Sequence, residues 1–310
     1  MTCSIFFPLL ILFMVMPTPG EQASINTSPL KLAVQPKCGA SSSSHFNNFN
    51  SGIDLTKIKT IYAFGDSYMS NGQSTGTTAP PPVQGNPNDP HFGGRASNGL
   101  VWVEQFSNAI GAVLKDYAMG GSTVSRALSP STGSLQGTDM IQHVQTFLNQ
   151  HNKIDASSSM TMISYGINDY ASTARQGTQN LPKAAQELVR QTELLVQAGI
   201  RNVVIISPPT SAAPLNNFND IVWNGLKGLQ TKNPELKYAY VDFVTLYSAI
   251  ISNPSSFGYQ AVDSCLPTDK SMAGACPNPD VHLYYLPRHP QKLTHGLMAE
   301  WVEDVLSNCK

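Results

Sequence analysis

The sequence predicts an α/β fold, a three-layer α/β/α sandwich around a five-stranded, mostly parallel sheet. Short apolar runs with strand character alternate along the chain with longer amphipathic segments, which indicates a sheet covered by helices on both faces. Turn-forming Gly, Pro, Asn and Asp residues separate these segments. The 310 residues are enough for one sizeable domain of this kind.

Five apolar runs rich in β-branched residues predict the strands. They are expected near residues 60–65, 113–118, 160–165, 201–207 and 237–243. Two intervening segments carry the clearest helix patterns. Residues 182–197 begin with Pro182, are followed by Gly199 and place apolar side chains on one face. Residues 293–306 predict a second helix, close to the C-terminus.

The N-terminal sequence predicts an exported protein. Residues 1–20 contain an apolar run of signal-peptide length that ends in small residues suited to cleavage after Gly20. A buried strand or helix is the alternative for this run. Residues 21–58 are expected to form a polar lead-in, and residues 59–310 a single domain. Asn26 lies in a glycosylation sequon, so we expect a secreted, extracellular glycoprotein.

The cysteine count supports export. Cys3 leaves with the predicted signal peptide, and four cysteines remain, an even number that predicts two disulfides. Three pairings are possible, and Cys265–Cys276 with Cys38–Cys309 has the simplest geometry. No Cys-x-x-Cys pair or histidine cluster is present, so no metal site is expected.

Charge and hydropathy exclude two classes of partner. The net charge is −1 and only 13% of residues are charged, so no footprint for nucleic acid is present. Beyond the N-terminal run no segment reaches transmembrane length, and no membrane anchor is expected.

The sequence Phe64-Gly65-Asp66-Ser67-Tyr68 follows the first predicted strand directly. A serine at the carboxyl end of such a strand lies at the sheet edge where α/β proteins bind substrates. Its hydroxyl is a poor nucleophile until a base removes the proton.

Three later segments are expected at the same edge of the sheet. The first contains Gly120 and Gly121, and the second, Gly-Ile-Asn-Asp, contains Asn168. The third contains His289, whose imidazole titrates near neutral pH and suits a general base. A helix cap is the alternative role for Asn168.

These four segments, in this order, resemble the SGNH (GDSL) hydrolase superfamily from about residue 59 to residue 308. The resemblance implies a flavodoxin-like strand order and no cofactor. It implies that Ser67 is the nucleophile and His289 the base. The oxyanion hole would comprise the Ser67 N–H, the Gly121 N–H and the Asn168 side-chain amide. Gly120 is the alternative to Gly121.

A further segment narrows the resemblance. Residues 94–99, Gly-Arg-Ala-Ser-Asn-Gly, precede Trp102-Val103-Glu104 and resemble one GDSL branch. That branch includes fungal secreted acetylesterases of carbohydrate esterase family sixteen. It implies a serine esterase that deacetylates carbohydrates such as xylo-oligosaccharides, so the expected partner is a small-molecule or oligosaccharide ester. The alternatives are a lipase or phospholipase for longer acyl esters, and a catalytically impaired carbohydrate-binding protein.

One position departs from the superfamily. Where it usually has Asp, three residues before the histidine, this chain has Leu286, whose side chain cannot accept a hydrogen bond from His289. A main-chain carbonyl, most simply that of Leu286, is one candidate to orient the imidazole. A carboxylate from the preceding loop is the other, and the loop carboxylates are those of Asp263, Asp269 and Asp280.

Overall fold

The computed structural model describes residues 28–39, 47–83, 88–130 and 138–310. The predicted signal peptide, residues 1–20, and the predicted glycosylation site at Asn26 lie outside the described residues. Within the described ranges, no helix has both the length and the apolar character needed to cross a membrane.

A six-stranded sheet forms the centre of the molecule. Its strands are β1 (Phe49–Asn50), β2 (Thr60–Gly65), β3 (Val113–Asp116), β4 (Ser159–Ser164), β5 (Asn202–Ile206) and β6 (Lys237–Val241). Their order across the sheet is β1-β6-β5-β4-β2-β3, and β1 alone runs antiparallel to its neighbour. Counted along the chain, the five parallel strands have the order 2-1-3-4-5, which is the flavodoxin-like arrangement. The predicted mostly parallel α/β sheet is confirmed.

The described part of the chain contains eight helices. They are α1 (Trp102–Ala109), α2 (Met140–Asn149), α3 (Ile167–Gln176), α4 (Leu181–Gln197), α5 (Ala213–Lys232), α6 (Phe243–Ser252), α7 (Pro254–Phe257) and α8 (Lys292–Asn308). Helices α1, α6 and α8 pack on one face of the sheet, and α2, α4 and α5 on the other.

The two faces of the sheet support two separate cores. In β2, Ile61 and Ala63 belong to the core under α1, α6 and α8, whereas Tyr62 and Phe64 belong to the core under α2, α4 and α5. Successive side chains of a strand point to opposite faces, so a strand buried on both faces is apolar at nearly every position. This burial explains why the parallel strands could be predicted from sequence.

The N-terminal lead-in differs from its prediction. Residues 21–58 were expected to precede the domain, yet Phe49 and Asn50 form β1 at the edge of the sheet. Leu30, Ile53 and Ile58 are also buried in the core under α1 and α8. A two-residue strand is too short to produce a periodic sequence pattern, so the sheet has one strand more than the five predicted.

A second, smaller sheet carries His289. It comprises β7 (Ala261–Ser264), β8 (His282–Leu286) and β9 (His289–Pro290). Strands β8 and β9 pair antiparallel, with Leu286 opposite His289 and a two-residue turn of Pro287 and Arg288 between them. Helix α8 begins two residues after β9 and packs against α1 in the main core.

Two disulfides connect segments that lie at the ends of strands and helices. Cys38–Cys309 joins the segment before β1 to the residue that ends α8, across a sequence separation of 271. Cys265–Cys276 closes the loop between β7 and β8, with a separation of 11. The second bond is packed against Tyr285 and Leu286, at the end of β8 that leads into the turn before His289.

Candidate active site

Hydrogen bonds to Asp66 fix the turn that follows β2. One oxygen of this buried carboxylate accepts a hydrogen bond from the Tyr68 N–H at 3.0 Å, and the Asp66 carbonyl accepts from the Met69 N–H at 3.1 Å. Burial raises the pKa of Asp66 to about 7. At Gly65, a Cβ atom would lie 3.0 Å from the Ser164 carbonyl oxygen, so a larger residue there would fit only if the neighbouring atoms shifted. These contacts fix the backbone around Ser67 at the edge of the sheet.

Ser67 and His289 meet at this edge. The Ser67 Oγ lies 2.9 Å from the His289 Nε2, although the two residues are 222 positions apart. This distance is within the range expected between a serine nucleophile and its general base.

A backbone carbonyl lies behind the imidazole. The His289 Nδ1 is 3.0 Å from the carbonyl oxygen of Pro287. A carbonyl can only accept, so Nδ1 carries the proton and Nε2 is free to accept the proton of the Ser67 hydroxyl. The expectation that the Leu286 carbonyl would do this is wrong. Leu286 is paired across the hairpin with His289, and the next carbonyl, in the turn, faces the imidazole.

The three candidate carboxylates are engaged elsewhere or make no hydrogen bond to His289. Asp263 lies 2.9 Å from the Nδ1 of His282, and Asp280 lies 3.1 Å from the Nζ of Lys292. Asp269 acts on His289 only through its charge. In the described part of the chain, His289 therefore has a carbonyl, and no carboxylate, at its Nδ1.

Burial lowers the pKa of His289 below its ordinary value. The Pro287 carbonyl opposes this effect, the positive charges of Arg288 and His91 add to it, and the Asp269 charge opposes it weakly. The imidazole is therefore neutral at neutral pH, which is the form that can accept a proton from Ser67.

Helix α3 holds the loop that contains Gly121. The Asn168 Nδ2 donates a hydrogen bond to the Ser122 carbonyl at 2.9 Å, and the buried Asp169 accepts from the Val124 N–H at 3.1 Å. Gly121 itself has a φ of 78°, a conformation that favours glycine. The two segments predicted to supply oxyanion donors are thus tied to each other. The bond to Ser122 uses one of the two amide hydrogens of Asn168 and leaves the other.

The alternative role for Asn168 as a helix cap is wrong. The N-cap of α3 is Gly166, with a φ of 119°, and no side chain caps this helix end. Asn168 lies inside the first turn and its amide bonds to a neighbouring loop instead.

Residues 94–104 form hydrogen bonds to the strand that carries His289 and to the first residue of α8. The Ser97 Oγ donates to the Pro290 carbonyl at 3.0 Å, and the Asn98 Oδ1 accepts from the Lys292 N–H at 2.7 Å. The segment is itself held by the buried Arg95, whose guanidinium makes two 2.6 Å bonds to the carboxylate of Glu104. The sequence pattern of this segment narrowed the resemblance but predicted no contact for Ser97 or Asn98.

A small pocket lies beside the site. It is bordered by Tyr68, Tyr165, Ile167, Pro208 and Pro209, among others, and has no interior space wide enough for a water molecule. A much larger groove of about 860 Å³ runs between residues 76–82, α1 and β3, but neither Ser67 nor His289 lines it. Residues of the loop that follows Ser67 line this groove.

No group of three or more His, Cys, Asp or Glu side chains is placed to hold a metal ion within residues 28–39, 47–83, 88–130 and 138–310.

Comparison with known families gives one match that covers most of the chain. The model of the family described as GDSL-like lipase/acylhydrolase matches residues 61–302. This range begins in β2, ends in α8 and includes Ser67, Gly121, Asn168 and His289.

Two curated proteins are similar at low identity. A GDSL esterase/lipase of Arabidopsis thaliana is 23% identical over 82% of this chain and 91% of its own length. The secreted effector protein SseJ of Salmonella typhimurium is 24% identical over 54% of this chain. The chain spans less than half, 43%, of that effector's length.

Two solved structures are also similar. A family two carbohydrate esterase of Clostridium thermocellum superposes with a TM-score of 0.47 at 15% identity, covering 81% of this chain and 63% of the other. The esterase EstA of Pseudoalteromonas sp. gives a TM-score of 0.40 at 14% identity, covering 80% and 97%.

The environment of His289 generates a prediction. We expect its imidazole to titrate below the ordinary value of 6.5, because burial disfavours the charged form. NMR titration of the His289 ring protons measures this directly. In Asp269→Asn the pKa should fall further, since the Asp269 charge raises it. A value at or above 6.5 in the unmodified protein would contradict the prediction.

Proposed function

The chain belongs to the GDSL-like lipase/acylhydrolase family, and we propose that it hydrolyses carboxylic esters through an acyl-enzyme formed on Ser67. The observation that carries the proposal is the 2.9 Å contact between the Ser67 Oγ and the His289 Nε2, with the Pro287 carbonyl at the opposite nitrogen. This geometry supports a working serine–histidine pair over a scaffold retained only for binding.

The reaction follows from these positions. Ser67 Oγ attacks the ester carbonyl while its proton passes to His289 Nε2, and the carbonyl oxygen becomes an oxyanion. The Ser67 N–H, the Gly121 N–H and the remaining Asn168 amide hydrogen are the donors for this oxygen. His289 then gives the proton to the leaving alcohol oxygen, so the alcohol departs. Water then attacks the acyl-enzyme while His289 takes one of its protons, and this proton passes to Ser67 Oγ as the bond to the acyl group breaks and the acid is released.

The proposed pair works without a carboxylate. In serine hydrolases the third group mainly holds the imidazole in the correct tautomer and stabilises its cation. The Pro287 carbonyl does the first through its hydrogen bond to Nδ1. It carries no full charge, so the imidazolium that forms receives only dipolar stabilisation.

For the substrate, we propose a short acyl group, acetyl in the first instance, on a carbohydrate such as a xylo-oligosaccharide. The resemblance of residues 94–104 to acetylesterases that act on carbohydrates supports both the acetyl group and the carbohydrate. An esterase for longer acyl chains is the second candidate.

We also propose that the protein acts outside the cell. The two disulfides support this location, because such bonds persist in oxidising compartments. The apolar run in residues 1–20 supports export through a signal peptide.

The role of Ser67 is tested by Ser67→Ala. We expect ester hydrolysis to fall more than about a thousandfold, because the nucleophile is lost, while the melting temperature stays unchanged. Ser70→Ala is the matched control, since that hydroxyl lies in the same turn and accepts a bond from the Gly72 N–H, away from His289. Retention of more than about a few per cent of activity in Ser67→Ala would contradict the acyl-enzyme.

The oxyanion role of Asn168 is tested by Asn168→Ala. We expect kcat to fall about 100- to 1000-fold, the usual effect of one oxyanion donor. Asn168 also donates a hydrogen bond to the Ser122 carbonyl, so its loss could loosen the loop that contains Gly121. Ser172→Ala is the control for this effect, because it removes a different hydrogen bond between α3 and a neighbouring loop. Its hydroxyl ties α3 to the Pro130 carbonyl at 2.7 Å and lies one turn further along the helix. Equal losses of kcat in the two variants would argue for tethering and against an oxyanion contact.

The absence of a catalytic carboxylate is tested at three positions. Asp263→Asn, Asp269→Asn and Asp280→Asn should each retain kcat within about tenfold, because none of these groups bonds to His289. A loss of about a thousandfold in any one of them, with folding intact, would show that a displaced carboxylate completes a triad.

The acyl preference is tested with nitrophenyl esters of increasing chain length. We expect kcat/KM to be highest for acetate and to fall steadily with length, because the acetylesterases that residues 94–104 resemble remove acetyl groups. Acetylated xylo-oligosaccharides are assayed in parallel for acetate release. A maximum at eight carbons or more would favour the lipase alternative and would leave the Ser67 mechanism intact.

A further inference from the structure

The turn between β8 and β9 has an unusual backbone. Arg288 has a φ of 62°, and the one other described non-glycine residue with a positive φ is His151. Proline at the first central position and a positive φ at the second are the marks of a type II turn, in which the second position normally holds Gly or Asn. Arginine has a Cβ atom and resists this conformation, so the surrounding structure must hold the turn in place.

This turn determines where the Pro287 carbonyl points. In a type II turn the peptide between the two central residues is reversed relative to a type I turn, and the carbonyl of that peptide belongs to Pro287. The same oxygen lies 3.0 Å from the His289 Nδ1. Relaxation of the turn toward negative φ at Arg288 would turn this carbonyl away from the imidazole.

Tyr68 holds the other carbonyl of the turn. Its hydroxyl donates to the Arg288 carbonyl oxygen at 2.7 Å. The side chain is buried, its own N–H is held by Asp66, and its ring centroid lies 5.8 Å from that of His289. Tyr68 directly follows Ser67, so one short stretch of chain fixes the serine and also reaches the turn that carries the histidine.

We propose that Tyr68 is a positioning residue for His289. Its hydroxyl holds the turn of Pro287 and Arg288 in place, so that the Pro287 carbonyl keeps its hydrogen bond to the His289 Nδ1. The tyrosine thereby takes over the orienting function that a carboxylate at position 286 would otherwise serve. This inference rests on the proposed function, because it concerns the base in the proposed hydrolysis.

The chemistry of the tyrosine suits this role. Burial raises the pKa of Tyr68 well above its ordinary value, so the hydroxyl remains a donor at every working pH. Leu286 offers the His289 imidazole no hydrogen bond from its side chain, which is apolar and is buried among Cys265, Leu266 and Tyr285.

The test is Tyr68→Phe, which removes one oxygen and keeps the ring. We expect kcat for nitrophenyl acetate to fall at least about tenfold, because a small displacement of a catalytic group has a large effect on rate. KM should stay within about twofold, because in this account the hydroxyl does not touch substrate. The matched control is Tyr259→Phe, which removes a buried hydroxyl bonded to the Thr294 Oγ1 at 2.7 Å and should leave kcat unchanged.

NMR gives a readout that a merely structural role would not move. The Nδ1–H resonance of His289 should be present in the unmodified protein and in Tyr259→Phe, and shifted or lost in Tyr68→Phe. An unchanged resonance in folded Tyr68→Phe overturns the inference, whatever happens to kcat. This measurement needs no turnover. If the unmodified protein hydrolyses no ester, the proposed function fails while the positioning of His289 is still tested.

A second variant covers the case in which Tyr68→Phe does not fold. Arg288→Gly keeps the turn, because glycine adopts positive φ without strain, and removes the guanidinium. We expect kcat within about twofold of the unmodified protein, and the Nδ1–H resonance of His289 should still be present. A loss of about tenfold or more in folded Arg288→Gly would show that the arginine side chain, and not the turn, matters, and would overturn the inference.

Discussion

The candidate active site depends on a hydrogen bond between two residues that come from distant parts of the chain. Ser67 is held by the first parallel strand of the sheet, and His289 by a two-residue strand of a separate small sheet, yet their side chains meet at 2.9 Å. A bond of this kind needs both ends to be rigid. Buried strands supply rigidity at Ser67. At His289 it comes from contacts with neighbouring segments, among them the Ser97 hydroxyl on the Pro290 carbonyl and the Asn98 side chain on the Lys292 N–H.

The partner behind the imidazole is a neutral carbonyl, and this has an electrostatic cost. A carbonyl selects the same tautomer that a carboxylate would, since both accept from Nδ1. It contributes only a dipole to the stability of the imidazolium, and burial with nearby positive charge already disfavours that cation. In the proposed reaction, the neutral histidine would accept a proton from Ser67, hold it weakly and return it readily to a leaving alcohol.

Much of the fold could be predicted, for a physical reason. The parallel strands β2, β4, β5 and β6 are largely buried on both faces and read as mostly apolar runs, whereas the edge strand β3 is partly exposed. All five were predicted to within two residues of their observed ends. Helix α4 was predicted from the residues at its two ends and from its apolar face, and a helix was also predicted in the region of α8. Strand β1 was missed because two residues cannot show a period. The carbonyl behind His289 was assigned to Leu286 when it belongs to Pro287, because the orientation of a turn peptide depends on the φ of Arg288. No sequence pattern reveals that angle in a non-glycine residue.

The disulfide between Cys38 and Cys309 encloses almost everything described here. Both Ser67 and His289 lie inside the covalent loop that it closes, as do the whole parallel sheet after β1 and all of α8. A single cut in the main chain anywhere between Cys38 and Cys309 would therefore yield no separate fragments, because the two pieces would stay linked through sulfur. For a protein exposed to proteases, the two halves of the site would remain on one molecule after such a nick, ready to reassociate at the full effective concentration of a tethered pair.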